Sequence, residues 1–527
     1  MPMKRIKRQS VKLFDQLVQR RNALNQSEGN SGMNINEQYS ERKINISMGI
    51  CILFFTFLLT FAGLLRTGMD SDWLTFLITI SFVLWIITTR RAFFFKYFYF
   101  ILMHFWMLFS VFYIENYNMW LPNLQKRSTY TGAFFPLAVS IFIFYFTLLL
   151  LEKRPKKFAQ QGVDSLPDTK RQWMKLILVA ALIIAAIFIL DIANNNYYSS
   201  NASNRFSYLL SSNAFSISFY GYLQLLLPII AIYAAATKKS VGMYIFLALN
   251  SAYLILIGNK FSALIQLFYI FVVSYLYPAQ KGPMKKEYGK FLWFCALTLF
   301  ILFSYSFYQM LHENGNMSST VQWLQNRLFN GQGDVWWGIY NLIRRTGVHY
   351  QELWDELGAF QSSSVDQSHY YFGIYKLMWL IAPPSVVMSY ASQHARFTAS
   401  TQASFYYYFG TSGLVIGQMI LAMLLHFVVN ELIRACTARR VVDSVFYVWL
   451  VMQTMRIIFM SDFYLLCAKS TVFSVCVLTA GYLCRKHIQS REKIEIKDEN
   501  QKQPSYIKIL SNAHNSGTRQ SGYFVRR

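Results

Sequence analysis

Residues 132–151 read GAFFPLAVSIFIFYFTLLLL, a run without one charged side chain. Wound as a helix it would be about 30 Å long, the depth of a bilayer's hydrocarbon layer. A barrel strand would need only about half as many residues and would alternate apolar with polar positions, which this run does not. Windows of the same kind lie at about 46–66, 73–89, 92–113, 174–191, 214–236, 240–257, 261–278, 291–310, 408–432, 442–460 and 463–484, so the chain is expected to be all-α, a polytopic membrane protein with roughly twelve transmembrane helices. The composition agrees: 54% hydrophobic and 14% charged residues over 527 positions are too apolar for a soluble enzyme and too many for one core.

The net charge of +25 could point to nucleic acid, but the basic residues form no single stripe. They recur between the apolar windows: Arg90 and Arg91, Lys153 to Lys157, Lys238 and Lys239, Lys281 to Lys290, Arg434 to Arg440, Arg485 and Lys486. Alternate connections are sparse and mixed in charge, with Asp70, Asp72, Glu115, Lys126, Arg127, Arg205, Lys260 and Asp462. Read as a topology signal, this puts both termini in the cytosol and no nucleic acid among the partners. The basic N-terminal stretch lacks the short apolar core of a cleavable signal peptide directly after its charges, so it reads as a cytosolic tail. Six cysteines in or beside apolar windows, without CxxC or Cys/His spacing, read as packing residues. The expected organisation is a basic tail at 1–45, nine helices over 46–310, a large outer loop at 311–407, three helices over 408–484 and a disordered tail at 485–527.

The 311–407 interval is where chemistry is expected. It holds Arg327, Asp334, Arg344, Arg345, His349, Glu352, His369, His394 and Arg396 among Trp323, Trp336, Trp337 and Trp354, a mixture that suits sugars and phosphates. Within it, 321–345 and 350–360 read as helical, while Pro383-Pro384 interrupts the apolar run 370–390 and makes it an interfacial or re-entrant element. There is no P-loop, GxSxG, HExxH or inner-face DxD pair, so neither a bound metal nor a nucleotide-sugar donor is expected. Sugar chemistry on the outer face would need a lipid-linked donor, whose diphosphate leaving group fixed arginines can stabilise.

Arg344 and Arg345 precede His349 and Glu352, and a helix would put Arg345 and His349 on one face. They could clamp a diphosphate while His349 or Glu352 takes a proton from an acceptor hydroxyl. An exposed amphipathic helix with solvated charges reads equally from the same residues. Arg396, just before the next span, is a clamp or a snorkelling interfacial arginine. Arg327 with Gln332 and Trp336, Lys260 in a tight turn, and His394 are the expected substrate-binding residues, each with a surface or anchoring alternative. Inside the spans, Lys96, His104, His426, Arg456 and Lys469 are costly in lipid; Arg456 with Asp462 reads as a structural pair, and the set also feeds a transporter reading.

This layout, with GNKFSALI at 258–265 and RFTASTQASFYYYFGTSGLVIG at 396–417, resembles the O-antigen and capsular repeat-unit polymerases of bacteria, the Wzy family. The resemblance implies an integral-membrane glycosyltransferase of the GT-C type, independent of metal and cofactor, at the periplasmic face of the inner membrane. It would move a growing glycan from undecaprenyl diphosphate onto the next lipid-linked repeat, with membrane lipids and a chain-length regulator as further partners. The family's outer-loop arginines map by loop position onto Arg327, Arg344, Arg345 and Arg396. Its arginine-then-glycine pattern is approximated by Arg396 with Gly410 or Gly413. An O-antigen ligase and a polysaccharide flippase are the alternatives.

Overall fold

The structure, a computed structural model, describes residues 35–65, 69–152, 168–197, 199–200, 205–258, 261–278, 285–314, 317–318, 321, 325, 329, 331–354, 373–392, 395–398 and 400–502. Lys260, Arg327 and His394 lie outside them, as does most of 321–333.

Among the described residues the regular elements are helices, apart from one two-strand hairpin. In chain order the helices are α1 (Ile35–Leu65), α2 (Met69–Thr89), α3 (Arg91–Asn116), α4 (Phe134–Leu151), α5 (Asp168–Ala193), α6 (Arg205–Ser211), α7 (Phe215–Gln224), α8 (Leu227–Thr237), α9 (Val241–Leu256), α10 (Phe261–Phe271, continued by a π-turn at Val272–Leu276), α11 (Lys285–Asn314), α12 (Asp334–Thr346), α13 (Gly373–Ile381), α14 (Pro384–Ser392), α15 (Thr401–Thr437), α16 (Val441–Met460) and α17 (Lys469–Lys502). Strands β1 (Trp120–Leu121) and β2 (Lys126–Arg127) pair antiparallel between α3 and α4.

Among the described residues six helices are long and apolar enough to cross a membrane, namely α3, α4, α5, α15, α16 and Asp70–Thr89 of α2. The pair α7 and α8, bent by 46°, would make a seventh. The expected count of twelve is not reached by this measure, although helices stand at every window. The windows at 240–257 and 261–278 form α9 and α10, whose apolar lengths fall short of a full span, and the one at 463–484 opens with a 3-10 turn before α17 begins at Lys469. Two boundaries also move. α1 starts at Ile35, inside the expected tail, and α17 runs to Lys502, because no glycine or proline interrupts the chain between Gly481 and Pro504. The 370–390 run is two nine-residue helices broken at Ala382-Pro383, as its proline pair dictates.

The chain divides into two compact units, 1–82 and 83–527. In the first, Phe55 packs edge-on against Phe82 at 5.2 Å, and the Ser71 hydroxyl donates to the Ala62 carbonyl. In the second, α15 is the central strut and packs against α4, α12 and α16. The apolar side chains Leu176, Ile183, Ile187 and Leu190 of α5 point outward, the arrangement that lipid, and not water, stabilises.

α15 breaks at Gly410, with φ 63° and ψ −150°, a conformation almost closed to residues with a Cβ. A Cβ there would also sit 3.1 Å from Val348 Cγ1. Gly410→Ala is therefore expected to cost about 1–3 kcal/mol and to lower the melting midpoint of the purified protein. A variant melting with wild type would show that the break is not needed.

Candidate functional site

The site is built on the short connection between α3 and α4. The buried Glu115 carboxylate near the end of α3 accepts hydrogen bonds from the Thr131 and Gly132 amides and the Thr131 hydroxyl, at 2.6–2.8 Å. That fixes residues 129–133, whose carbonyls receive α12. The Trp337 indole donates to Thr129, an Arg344 guanidinium N–H to Thr131 at 2.5 Å, and the Trp336 indole to Ala133 at 2.8 Å. Asn123 donates to buried Asp334 at the start of α12 and accepts from Tyr390 of α14.

α12 carries its basic pair in its last turn, where the helix dipole favours cations. It stops at Gly347, whose φ of 81° and ψ of −172° leave the helical region. The expected helical face joining Arg345 to His349 is therefore not formed: His349 lies beyond the helix end. Its amide donates to the Tyr407 carbonyl, and its ring stacks on the Tyr407 ring at 4.9 Å and 8°. Nδ1 faces Glu352 Oε1 at 3.1 Å, and Nε2 lies 3.1 Å from the Thr346 hydroxyl.

Glu352 gathers this corner. Its Oε2 accepts from the Tyr407 hydroxyl at 2.7 Å and pairs with Lys376 of α13 at 3.0 Å. Lys376 also lies over the Tyr407 and Tyr408 rings. Burial pushes the Glu352 carboxyl up, but the hydrogen bonds from Tyr407 and Lys376, with the charges of Lys376 and His349, outweigh it and hold the group below the ordinary glutamate value. The carboxylate is thus ionised at neutral pH and favours a proton on the His349 Nδ1 that faces it.

On the hairpin side, Lys126 lies over the Trp337 ring at 5.1 Å. Burial first, and the Arg345 charge second, lower its pKa. Two cations that repel each other at a part-exposed position make a place where an anion is welcome.

Arg396, expected as a clamp, is engaged elsewhere. Its guanidinium meets both oxygens of Asp462, at 2.9 and 3.1 Å, and stacks over Tyr375 at 5.3 Å. Arg456 completes the triad at 3.1 Å, so the expected Arg456–Asp462 pair forms, with Arg396 added to it. Asp462 is 1% exposed, Arg396 22% and Arg456 46%. Burial raises the Asp462 carboxyl while the two arginines pull it the other way. Trp336 is enclosed, 1% exposed, with its indole satisfied, so it is a packing residue and not an open sugar platform. Gln332 sits partly buried in the turn before α12.

The structure therefore brings Arg344, Arg345, His349 and Glu352 to one end of α12, and sets Arg396 in a separate triad. Sequence reasoning missed Tyr407, Lys376 and Glu115. Lys376, the one charge in the run 370–390, carried a readable signal. Among the described residues no group of three or more His, Cys, Asp or Glu side chains could hold a metal ion.

Fold and composition define an all-α protein with helices suited to a membrane. Residues 367–475 match a family described as Family of unknown function (DUF6418), a stretch that contains Lys376, Tyr407 and the whole Arg396–Asp462–Arg456 triad but stops short of His349 and Glu352. No curated protein and no solved structure matches the chain.

Proposed function

We propose that this protein is a membrane glycosyltransferase that polymerises lipid-linked oligosaccharide repeats, taking the growing glycan from a polyprenyl diphosphate such as undecaprenyl diphosphate. The observation that carries the reading is the juxtaposition of Lys126, Arg344 and Arg345 around residues 126–133 with the His349–Glu352 pair one turn of chain away. In the proposed reaction the cations stabilise the charge that develops on the departing diphosphate. His349 Nε2, oriented through Nδ1 by Glu352, takes the proton of the acceptor sugar hydroxyl as the glycosidic carbon is attacked. Tyr407 and Lys376 keep Glu352 ionised and in place. Arg396 supports the site from the Asp462 triad and is a positioning residue in this scheme. The reaction would run at the outer face of a bacterial inner membrane with both chain ends inside, as the charge pattern of the connections supports.

Deleting the gene is expected to reduce surface polysaccharide to single-repeat chains. A surviving full-length ladder ends the reading, and long chains stranded on their lipid carrier would mark a ligase instead. Because Lys126 and Arg345 are not core residues, Lys126→Ala with Arg345→Ala should leave the protein folded yet reproduce the single-repeat phenotype.

A further inference from the structure

A second ionisable cluster lies far from this site, inside the helical body. Lys96 of α3 is 2% exposed, and its ammonium donates to both oxygens of Glu152, at 2.7 and 2.8 Å, just past the end of α4. His426 of α15 places Nδ1 3.0 Å from the Tyr97 hydroxyl and 3.7 Å from Glu152 Oε2. Tyr97 Oη is itself 3.5 Å from Glu152 Oε2. The backbone is irregular on two sides. α3 kinks at Tyr97, with φ −126° and ψ 16°, and α10 passes into its π-turn just before Tyr277, whose ring lies under Lys96. Tyr269 of α10 donates to the Lys96 carbonyl. Insertions of this kind cost helix regularity and gather at functional positions.

The heavy atoms support two hydrogen-bond patterns without moving. With the His426 proton on Nε2, Tyr97 donates to Nδ1, and Glu152 serves Lys96 alone. With both nitrogens protonated, Nδ1–H points to Tyr97 and Glu152, and the Tyr97 hydroxyl turns to Glu152. We propose that Lys96, Tyr97, Glu152 and His426 form a proton-binding site, in which one proton from solvent adds to His426 Nδ1 and converts Glu152 from the partner of Lys96 into a carboxylate shared between two cations. No other bond is made or broken. Glu152 and His426 are 18% and 20% exposed, which gives the proton a way in.

Of the remaining charged groups on the surrounding elements, Arg434 of α15, about two turns beyond His426, adds a further positive charge that acts on Lys96 and His426 while it pairs with Glu431. Asp443 of α16 is held by Arg440 and Arg485. The charges of α12 stand at the other end of α15.

Nineteen positions separate Lys96 from Glu115, Ala133 from Glu152, and Tyr407 from His426. α3 and α4 thus hold one cluster at each end, about 28 Å apart by helical rise, while on α15 the break at Gly410 makes the helical run to His426 shorter, about 24 Å. The longer of these is close to the roughly 30 Å hydrocarbon depth. The proton site belongs to the face opposite the candidate catalytic corner, and it does not depend on what that corner does.

The test uses the full chain in lipid nanodiscs, with the melting midpoint followed by tryptophan fluorescence from about pH 3 to 8, a range that covers and extends below the one in which a histidine ordinarily titrates. Wild type is expected to shift by several degrees across that range. His426→Gln, which fills the same space and cannot take up the proton, is expected to flatten the profile. Tyr97→Phe, which removes one hydroxyl, decides the question should the glutamine variant not fold, and its profile is expected to be displaced from wild type. A flat wild-type profile, or folded variants that keep the wild-type profile, would overturn the proposal.

Discussion

Asp462→Asn will destabilise the protein by about 3–5 kcal/mol, the loss typical of removing one partner from a buried ion pair. The carboxylate is almost wholly enclosed and answers two guanidiniums. Without it, Arg396 loses the carboxylate that both of its short contacts reach, beside Tyr375, while the more exposed Arg456 can turn to solvent. The cost therefore falls mainly on Arg396. Replacing both members, with Asp462→Leu and Arg396→Met, is expected to restore much of the loss, because hydrophobic groups of similar volume often substitute for a buried pair at little cost. The measurement is chemical or thermal unfolding of the purified variants. Equal instability of the single and double variants would show that the triad does more than satisfy its own charges.

His349→Gln is expected to lower glycan extension by about 10²–10⁴-fold while leaving the melting midpoint near wild type, since the ring lies at a part-exposed surface and its loss opens no core. Glu352→Gln should lose activity through the wrong His349 tautomer. It should also lose an acid-dependent stability. The folded Glu352 carboxyl titrates below its unfolded value, so the ionised group stabilises this corner above the ordinary glutamate range. That contribution fades as pH falls through the lowered folded value. The glutamine variant has no such acid limb. Extension of purified lipid-linked oligosaccharide, measured beside melting curves in mild acid, checks both statements; an active His349→Gln protein would remove the imidazole from the mechanism.

The helices were legible where uncharged runs are long, as at 132–151 and 174–191, because periodicity and length are local properties. The span count was less so: whether α9, α10 and α17 are full crossings depends on where they start, bend and stop, and those limits are set by neighbours. The polar interval was found from its charges, and Arg344, Arg345, His349 and Glu352 do gather there. The way they gather was not readable. Gly347 ends α12 before His349, and the partner of Glu352 is Tyr407, 55 positions away, a pairing that no sequence spacing encodes. Arg396 misled for the same reason, since its counter-ion is 66 positions on.

Thr129, Thr131 and Ala133 receive Trp337, Arg344 and Trp336 through main-chain oxygens alone. Apart from Thr131, whose hydroxyl meets Glu115, and Gly132, whose φ is 78°, a socket made that way depends less on its side chains than on how many residues compose it. Substitution at exposed Thr129 or Tyr130 should leave α12 in place, whereas one inserted or deleted position would put every acceptor out of step with its donor at once.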